Sequence, residues 1–427
     1  MKEKKMTIGL IGLGTVGYGV FNLLKKRENE LKKQHGIVFS LKKIVDRHPE
    51  KQTNISSFSN LLCKNAKDIL NDTEIDTVIE LIGGENPAYE IIKEALRKKK
   101  NVVTGNKQLL AEHGDKLFKE AAKNNRYLGF RAAMTGCHQV ISHLEYGGTI
   151  KSILGVFNGT TNYILSQMEN NNISFSDALE KAQKLGYAEK DPSLDIGGFD
   201  TAHKVILITR LAFAYNLKKK DFYIEGIKDI EIQDVVFARE LGYAIKLLGI
   251  IKKEKGVLEV RVHPCLIPKN KTLALVKGVE NGIEIIYEAR GNNGYVAEGA
   301  GANPAASAVI ADLLDLANDS RISLPEPVEK LSIKKMYLVR CKYYIRFNAI
   351  NKPGVLAKIS SVLAKHSINI RTVIKKGEEI GAIVPIIIIT DEASERDTQK
   401  ALKIIDKLPI IERKSKTKLI RIEEKVF

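Results

Sequence analysis

Short apolar runs alternate with helical patterns through the first 130 residues of the chain. An apolar run at residues 6–11 leads into a glycine-rich turn and then into Val20, Leu23 and Leu24 at helical spacing. Strands and helices that alternate in this way form a parallel sheet covered on both faces. We therefore predict an α/β, doubly wound Rossmann-type domain. The further strands are predicted at residues 39–45, 77–82, 101–104 and 127–130, with a helix at 87–97.

The pattern changes from about Ser152 onward. An apolar strand near Val156 is followed by several helical patterns and by strand-like runs at residues 258–262 and 283–287. This mixture predicts an α+β domain. A later helical pattern at residues 304–316 carries small residues on one face, and we predict that it returns the chain to the first domain.

A turn-rich stretch at residues 319–327 predicts a linker before the last segment. The elements of that segment follow the order strand, helix, strand, strand, helix, strand, which is typical of a ferredoxin-like βαββαβ domain. Its strands are predicted at residues 343–349, 368–374, 384–390 and 418–422, and its helices at 355–366 and 394–408.

Composition narrows the possible functions. The net charge is +17, but the lysine runs at residues 98–100 and 218–220 are short and lack interleaved aromatic residues, so we predict no nucleic-acid partner. A basic surface serves anionic cofactors equally well. No stretch approaches the roughly 18 apolar residues of a membrane span. Four scattered cysteines without Cys-x-x-Cys spacing predict no metal site and fit a reducing cytoplasm.

The turn after the first strand reads Gly-Leu-Gly-Thr-Val-Gly and starts at Gly12. Gly12 and Gly14 let the backbone approach a pyrophosphate, whose charge is met by the N–H groups and the positive end of the following helix. The alternative is a tight turn that binds no ligand. The position of the motif, between a strand and a helix, favours a dinucleotide.

The end of the second strand leaves the choice of dinucleotide open. A carboxylate there accepts hydrogen bonds from the ribose 2′-hydroxyl of NAD, whereas an arginine pairs with the 2′-phosphate of NADP. Asp46 favours NAD, while Arg47, with Lys51 nearby, favours NADP.

A cluster of carboxylates precedes a lysine between residues 186 and 204. Asp200 and Lys204 are four residues apart near the start of a helix, so they share one face. The plain alternative is a solvated ion pair. Two glycines before the helix and an apolar run after it indicate instead that its first turn lines a cleft, where carboxylates can hold a substrate ammonium and the lysine can serve a carbonyl.

Lys107 is a second candidate for the cleft. It follows the fourth strand at its C-terminal end, where open α/β sheets bind their ligands. The alternative is an ordinary exposed lysine.

Several segments, in this order, resemble homoserine dehydrogenase over about residues 6–320. The most specific is Gly-Tyr-Ala-Glu-x-Asp-Pro from Gly186, followed by Asp200-x-x-x-Lys204. Residues 337–424, with Asn-Lys-Pro-Gly-Val-Leu from Asn351, resemble an ACT domain, the module appended to many homoserine dehydrogenases for feedback control. The other segments are residues 12–17, 80–84, 103–107, 158–164 and 299–304.

The resemblance implies roles for individual residues. Lys204 would protonate and stabilise the alkoxide that forms as hydride reaches the aldehyde carbon, with Lys107 as the second catalytic lysine. Glu189 and Asp200 would bind the amino-acid end of the substrate, and Thr160 would lie at the junction of substrate and cofactor. The residues expected to contact the cofactor are Thr15, Val16, Lys107, Gly186 and Gly301.

One segment departs from the family. Homoserine dehydrogenases usually carry a glutamate that helps to coordinate sodium, and this chain has Arg131 at the start of that stretch. A guanidinium repels a metal ion. We therefore predict that the monovalent site is lost and that Arg131 holds neighbouring carbonyl groups in its place.

These observations predict three domains. Residues 1–131 would form the NAD(P)-binding Rossmann domain, to which residues 302–320 return; residues 132–301 would form the substrate-binding, catalytic and dimerisation domain; and residues 335–427 would form the ACT-like regulatory domain. The predicted function is the NAD(P)-dependent interconversion of L-aspartate 4-semialdehyde and L-homoserine in threonine and methionine biosynthesis, by a cytoplasmic homodimer or homotetramer with L-threonine as effector. The alternative is a non-catalytic amino-acid sensor on a degraded dehydrogenase scaffold, which the altered segment at Arg131 would indicate.

Overall fold

The computed structural model describes residues 4–51, 55–138, 141, 148–289, 291–299, 301–320, 329–413 and 417–424. Residues 321–327 of the predicted linker lie outside this set, as does Ala300 in one of the resembling segments. The chain divides into two units. The first comprises Met1–Gly147, His203–Lys219 and Tyr295–Val328, and the second comprises Gly148–Ala202, Lys220–Gly294 and Glu329–Phe427.

Eighteen β-strands lie in the described residues. In chain order they are β1 (Lys4–Ile11), β2 (Ile37–Val45), β3 (Leu62–Cys63), β4 (Thr77–Glu80), β5 (Asn101–Thr104), β6 (Leu128–Gly129), β7 (Ile150–Val156), β8 (Tyr223–Ile224), β9 (Tyr243–Glu254), β10 (Val257–Pro268), β11 (Glu280–Tyr287), β12 (Gly291–Glu298), β13 (Ser332–Ile333), β14 (Arg340–Ile350), β15 (Ile370–Lys375), β16 (Ile383–Thr390), β17 (Ala393–Ser394) and β18 (Lys418–Ile422).

The same residues contain thirteen α-helices. They are α1 (Thr15–His35), α2 (Ala66–Leu70), α3 (Ala88–Arg97), α4 (Lys107–Lys123), α5 (Gly159–Asn171), α6 (Phe175–Lys184), α7 (Ser193–Ile196), α8 (Phe199–Phe213), α9 (Ile232–Glu240), α10 (Thr272–Leu275), α11 (Ala302–Ala317), α12 (Val355–Lys365) and α13 (Glu395–Ile405). Within the described part of the chain, no helix has the length and apolar character needed to cross a membrane.

The first unit is built on a six-stranded sheet in the order β3-β2-β1-β4-β5-β6. Every neighbouring pair is parallel. Ile8 and Leu10 of β1 are fully buried, and they belong to one apolar cluster with Val20 of α1 and Val309 of α11. The order reverses direction beside β1, which is where doubly wound sheets bind their ligands. The predicted Rossmann-type fold is confirmed.

The second unit contains a twelve-stranded sheet. Its main path is β12-β11-β7-β9-β10-β18-β14-β16-β15, with β8 and β13 paired to β10 and β17 paired to β14. The C-terminal part follows the order β14-α12-β15-β16-α13-β18, apart from the two-residue β17. The predicted βαββαβ domain is therefore confirmed.

The C-terminal domain shares this sheet with the preceding α+β part of the chain. Strand β18 pairs in parallel with β10, with Cys265 opposite Arg421 and Leu266 opposite Ile422. A buried ion pair also links the ACT domain to the α+β part: the Arg261 guanidinium lies 2.9 Å from the Glu423 carboxylate. The sequence, which predicts an ACT-like regulatory domain at residues 335–427, contains no local sign of this pairing.

Candidate active site

The glycine-rich turn between β1 and α1 has the geometry of a phosphate cradle. Gly12 has a φ of +98°, and a Cβ at Gly17 would lie 2.0 Å from the Gly12 carbonyl oxygen, so neither position admits a side chain without strain. A Cβ at Gly14 would meet nothing within 4 Å. Among the described residues, no side chain caps the start of α1. The turn can therefore present backbone N–H groups and the positive helix end to an anion.

A cavity of about 670 Å³ continues from this turn along the ends of the strands. Gly12, Gly14, Arg47, Lys64 and Asn65 are among the residues that line it. The backbone N–H groups of the glycine-rich turn and the cationic side chains of Arg47 and Lys64 can all bind the phosphates of a dinucleotide.

Asp46 has a structural task beside this cavity. One carboxylate oxygen accepts a hydrogen bond from the backbone N–H of Leu13 at 2.5 Å, and the other accepts one from the N–H of His48 at 2.7 Å. The side chain thereby ties the glycine-rich turn to the end of β2. From the sequence alone, the only role predicted for Asp46 is in binding ribose.

Both candidate lysines line a second cavity of about 270 Å³ in the first unit. Lys204 is only 3% exposed, and its ammonium donates a hydrogen bond to the Thr135 carbonyl oxygen at 3.1 Å. Lys107 is the first residue of α4. The cavity also brings together three of the predicted cofactor contacts, namely Thr15, Val16 and Gly301.

A buried glutamate that the sequence analysis did not single out organises this region. Glu80 ends β4, accepts a hydrogen bond from the Thr104 hydroxyl at 2.6 Å, and accepts another from the Ile82 N–H at 2.9 Å. Burial raises the pKa of Glu80, and these hydrogen bonds oppose the rise. Asn106 caps α4, and its side-chain amide donates to the Gly84 carbonyl at 2.5 Å. Lys107 is thus held on a fixed helix start. The signal in the sequence that could have identified Glu80 is a carboxylate directly after the apolar residues Val78 and Ile79.

The substrate residues predicted from the sequence lie in the second unit, where Asn158 organises two of the carboxylates. Its amide donates to Asp195 at 2.7 Å and to Asp200 at 3.0 Å, while its carbonyl oxygen caps α5 by accepting from the Thr161 N–H. Asp200 is 7% exposed. This role of Asn158 could not be predicted from the sequence, because an amide that bridges distant carboxylates leaves no periodic signal.

The remaining predicted residues of this unit lie around the segment that follows α6. The hydroxyl of Thr160 donates to the Tyr187 carbonyl at 2.6 Å, which ties the start of α5 to that segment. Gly186 has a φ of +75° and ends the helical turn. Glu189 is exposed, and Gln183 holds its backbone carbonyl at 3.1 Å. Because this side chain is exposed, the role of Glu189 in substrate binding stays a prediction.

Comparison with known proteins identifies the family. Family models described as the homoserine dehydrogenase NAD-binding domain and as homoserine dehydrogenase match residues 12–131 and 137–314, and an ACT-domain model matches residues 343–410. The homoserine dehydrogenase of Helicobacter pylori is 38% identical over 426 residues, which cover 99% of this chain and 100% of that protein. The chain belongs to the homoserine dehydrogenase family.

Two further homoserine dehydrogenases are similar to nearly the whole of this chain. The protein of that name from Neisseria gonorrhoeae is 37% identical over 423 residues, covering 96% of this chain and 97% of the relative. A crystal structure of a homoserine dehydrogenase from Thiobacillus denitrificans superimposes with a TM-score of 0.91 at 36% identity and covers 99% of both chains. The family and the appended ACT domain predicted from the motifs are confirmed.

Ion pairs and hydrogen bonds fix Arg131, the first residue of the segment that the sequence links to a cation site. Arg131 is buried, and its guanidinium contacts Asp315 at 2.7 Å and donates to the His138 carbonyl at 3.3 Å. The prediction that Arg131 holds a neighbouring carbonyl is confirmed. Its backbone N–H donates to Asp312, whose pKa is raised to about 7 by burial. Gln139 at the end of the segment lies outside the described residues, and the loss of a monovalent cation site stays a prediction.

This segment also forms part of the lysine cavity. Thr135, which accepts the hydrogen bond of Lys204, lies within it, and the Thr135 hydroxyl donates to the Ala132 carbonyl at 2.6 Å. The altered sequence therefore supports the buried lysine. That observation favours a working enzyme over a degraded scaffold.

Proposed function

We propose that this member of the homoserine dehydrogenase family interconverts L-aspartate 4-semialdehyde and L-homoserine with NADP or NAD, in the biosynthesis of threonine and methionine. One observation carries the proposal. The buried ammonium of Lys204 lines the same cavity as Thr15, Val16 and Gly301, next to the glycine-rich turn. A cation at that place stabilises an alkoxide that forms beside a dinucleotide.

Lys204 acts as the acid when the aldehyde is reduced. Hydride transfer is the chemistry that a bound nicotinamide supplies. The Thr135 carbonyl orients the Lys204 ammonium, which then donates its proton to the developing alkoxide oxygen. In the direction of oxidation, neutral Lys204 takes that proton from the hydroxyl. Lys107 contributes a second cation at the start of α4.

The substrate ammonium binds to Asp200 and Glu189. Asn158 fixes the Asp200 carboxylate by a hydrogen bond to one of its oxygens, and the carboxylate charge attracts the ammonium. Thr160 positions the segment that carries Glu189 through its bond to the Tyr187 carbonyl. The lysines therefore serve the reacting carbonyl, and the carboxylates serve the amino end.

Neutralising Asp200 is expected to act on substrate binding. The Asp200→Asn substitution should raise KM for L-homoserine about tenfold or more, since a hydrogen bond to a charged group contributes roughly 1.5–3 kcal/mol. The control is Asp177→Asn, because Asp177 is exposed and its described hydrogen bonds are to Ser174 at the start of α6. Unchanged KM and kcat in Asp200→Asn would remove Asp200 from the substrate site.

NADP is the preferred dinucleotide in this proposal. Asp46 also lines the cavity beside the glycine-rich turn, but its two carboxylate oxygens already accept the backbone N–H groups of Leu13 and His48, whereas Arg47 and Lys64 contribute two cations to the lining. Two cations suit a 2′-phosphate better than a ribose hydroxyl.

Replacing Arg47 tests this preference. The Arg47→Ala substitution should raise KM for NADP about tenfold and leave KM for NAD nearly unchanged, because only NADP carries the 2′-phosphate. The control is Lys98→Ala, which removes an exposed cation that pairs with Glu94 on α3. Equal effects on the two cofactors would show that Arg47 does not distinguish them.

Assembly and regulation complete the proposal. The enzyme works in the cytoplasm as a homodimer or homotetramer, and its ACT domain binds L-threonine as an inhibitor. The continuous sheet through β10, β18 and β14 supports coupling, since it joins the ACT domain directly to the strands of the α+β part. A ligand alters catalysis only if it binds one arrangement of these elements more tightly than another.

A further inference from the structure

Two cavities of the first unit are bordered by the same glycine-rich turn. Gly12 and Gly14 line the larger one, of about 670 Å³. Thr15 and Val16, the next residues along the chain, line the smaller one, of about 270 Å³. A dinucleotide that binds along this turn therefore reaches both cavities.

The ends of two neighbouring strands also contribute to these cavities. Strand β4 leads into residues 81–84, which we call the β4 loop, and Ile82 and Gly83 of this loop line the larger cavity. Strand β5 leads into Gly105 and Lys107, which line the smaller cavity. The two strands pair in parallel, so both segments leave the same edge of the sheet side by side. A group placed between the two strand ends can act on both cavities.

Glu80, the last residue of β4, occupies that place. It is fully buried and stands opposite Thr104 in the register of the two strands. One carboxylate oxygen accepts the Ile82 N–H at 2.9 Å, and the Gly83 N–H also donates to this carboxylate. The other oxygen accepts the Thr104 hydroxyl at 2.6 Å. A single carboxylate thus holds the β4 loop and the end of β5, and its several lone pairs suit three donors.

The hydrogen bonds continue from Thr104 into a closed ring. The Thr104 hydroxyl oxygen accepts the Asn106 N–H at 3.0 Å, and the Asn106 side-chain amide donates to the Gly84 carbonyl at 2.5 Å. Gly84 belongs to the β4 loop, so the ring returns to the segment that Glu80 holds. Asn106 is also the N-cap of α4, whose first residue is Lys107. The ring therefore fixes the β4 loop and Lys107 together.

Close packing joins the β4 loop to both cavities. A Cβ at Gly12 would lie 2.7 Å from the Leu81 carbonyl oxygen, and a Cβ at Gly105 would lie 2.9 Å from the Leu81 side chain. The loop therefore touches the glycine-rich turn and also the segment that leads to Lys107. A shift of the loop displaces its neighbours, because close packing leaves no space to absorb it.

We propose that Glu80 is a positioning residue for catalysis and that its hydrogen-bond ring couples the dinucleotide cavity to Lys107. The bonds to the β4 loop set the affinity for the dinucleotide, and the bonds through Thr104 set the position of the Lys107 ammonium. The effect on turnover rests on the proposed function, whereas the effect on dinucleotide binding does not.

Glu80→Gln in the full chain tests the effect on binding. The new amide has one oxygen and two N–H donors, so at least one of the three groups that donate to Glu80 loses its acceptor. We expect the Kd for NADPH, measured by fluorescence titration, to rise about tenfold. The matched control is Glu90→Gln, the same change at a carboxylate of α3 that is 66% exposed. An unchanged Kd in Glu80→Gln, with a urea midpoint that shows a folded protein, would overturn the proposal.

Thr104→Val opens the ring at a second point and nearly keeps the shape of the side chain, so it provides the test even if Glu80→Gln does not fold. It should lower kcat for L-homoserine oxidation about tenfold and raise the Kd for NADPH about threefold or more. Thr104→Ser retains the hydroxyl and should keep both values within about twofold of the unsubstituted enzyme. Equal losses in Thr104→Val and Thr104→Ser would overturn the role of the ring, because the hydroxyl would then not matter.

A double-mutant cycle tests the coupling to Lys107. In a Lys107→Ala background, Thr104→Val should change kcat by less than about twofold, because the ring has no ammonium left to position. A full tenfold loss in that background would contradict the coupling. Absence of turnover in the unsubstituted chain would instead contradict the proposed function, and the Kd for NADPH in Glu80→Gln would still decide whether the ring sets dinucleotide affinity.

Discussion

Replacing Lys204 with alanine is expected to lower kcat for L-homoserine oxidation about a hundredfold or more, the scale of a general acid–base contribution. The expectation follows from its position, because this ammonium is buried, is oriented by the Thr135 carbonyl, and lines the cavity with the cofactor residues. Steady-state kinetics gives kcat, and NADPH fluorescence titration gives cofactor affinity, which should stay nearly unchanged.

A surface lysine provides the control for this substitution. Lys219→Ala removes a lysine that is 44% exposed and pairs with Glu112, so it should leave kcat unchanged. If Lys204→Ala retained the turnover of the unsubstituted enzyme, the proton donor would have to be another group.

The second large effect is expected on stability. Arg346→Met should reduce the free energy of unfolding by about 3–5 kcal/mol, because it leaves the Asp234 carboxylate buried without its ionic partner. Arg346 is 1% exposed and contacts Asp234, which is fully buried, at 2.7 Å. This pair joins β14 of the ACT domain to α9 of the α+β part. Urea unfolding followed by circular dichroism measures the loss as a lower midpoint.

The control is Lys376→Met, which removes an exposed cation paired with Glu240 at 2.7 Å. An exposed ion pair contributes at most about 1 kcal/mol, so the midpoint should barely move. Similar midpoints for the two variants would mean that the buried pair does not stabilise the join between the ACT domain and the α+β part.

The same ion pairs bear on how regulation can be studied. From the sequence alone, one would compare threonine inhibition in the full chain with inhibition in a chain truncated near Asp319. Truncation would also strip Asp234 and Arg261 of Arg346 and Glu423, and it would expose the edge of β10. We therefore expect the truncated chain to be unstable, and point substitutions within the ACT domain are the cleaner experiment.

Local patterns predicted the elements of the fold well. The strand at residues 418–422 matches β18 at both ends, and the helix at residues 355–366 matches α12 to within one residue. Both have strong apolar periodicity that depends only on neighbouring residues. The pairing of β18 with β10 was not predictable in this way, because parallel pairing between distant segments depends on packing that no local pattern records.

In the candidate site, too, the sequence predicts the functional residues but not the long-range contacts that hold them. Motif order and resemblance identified Lys204 and Lys107, which the structure brings into one cavity. The supporting contacts were missed: Asn158 reaches carboxylates far along the chain, and Asp46 accepts the Leu13 N–H as well as lining the cavity. A side chain's partner is a property of the folded chain, so residue type and spacing could propose Asp46 for ribose but could not reveal its structural task.

Steady-state oxidation of L-homoserine by the unsubstituted full chain, with NADP and with NAD in parallel, tests the central claim most directly. We expect reduction of the dinucleotide that depends on L-homoserine, with a lower KM for NADP than for NAD because Arg47 and Lys64 line the cavity. No reduction of either dinucleotide, from a folded protein that binds NADPH, would contradict the account and favour an amino-acid sensor.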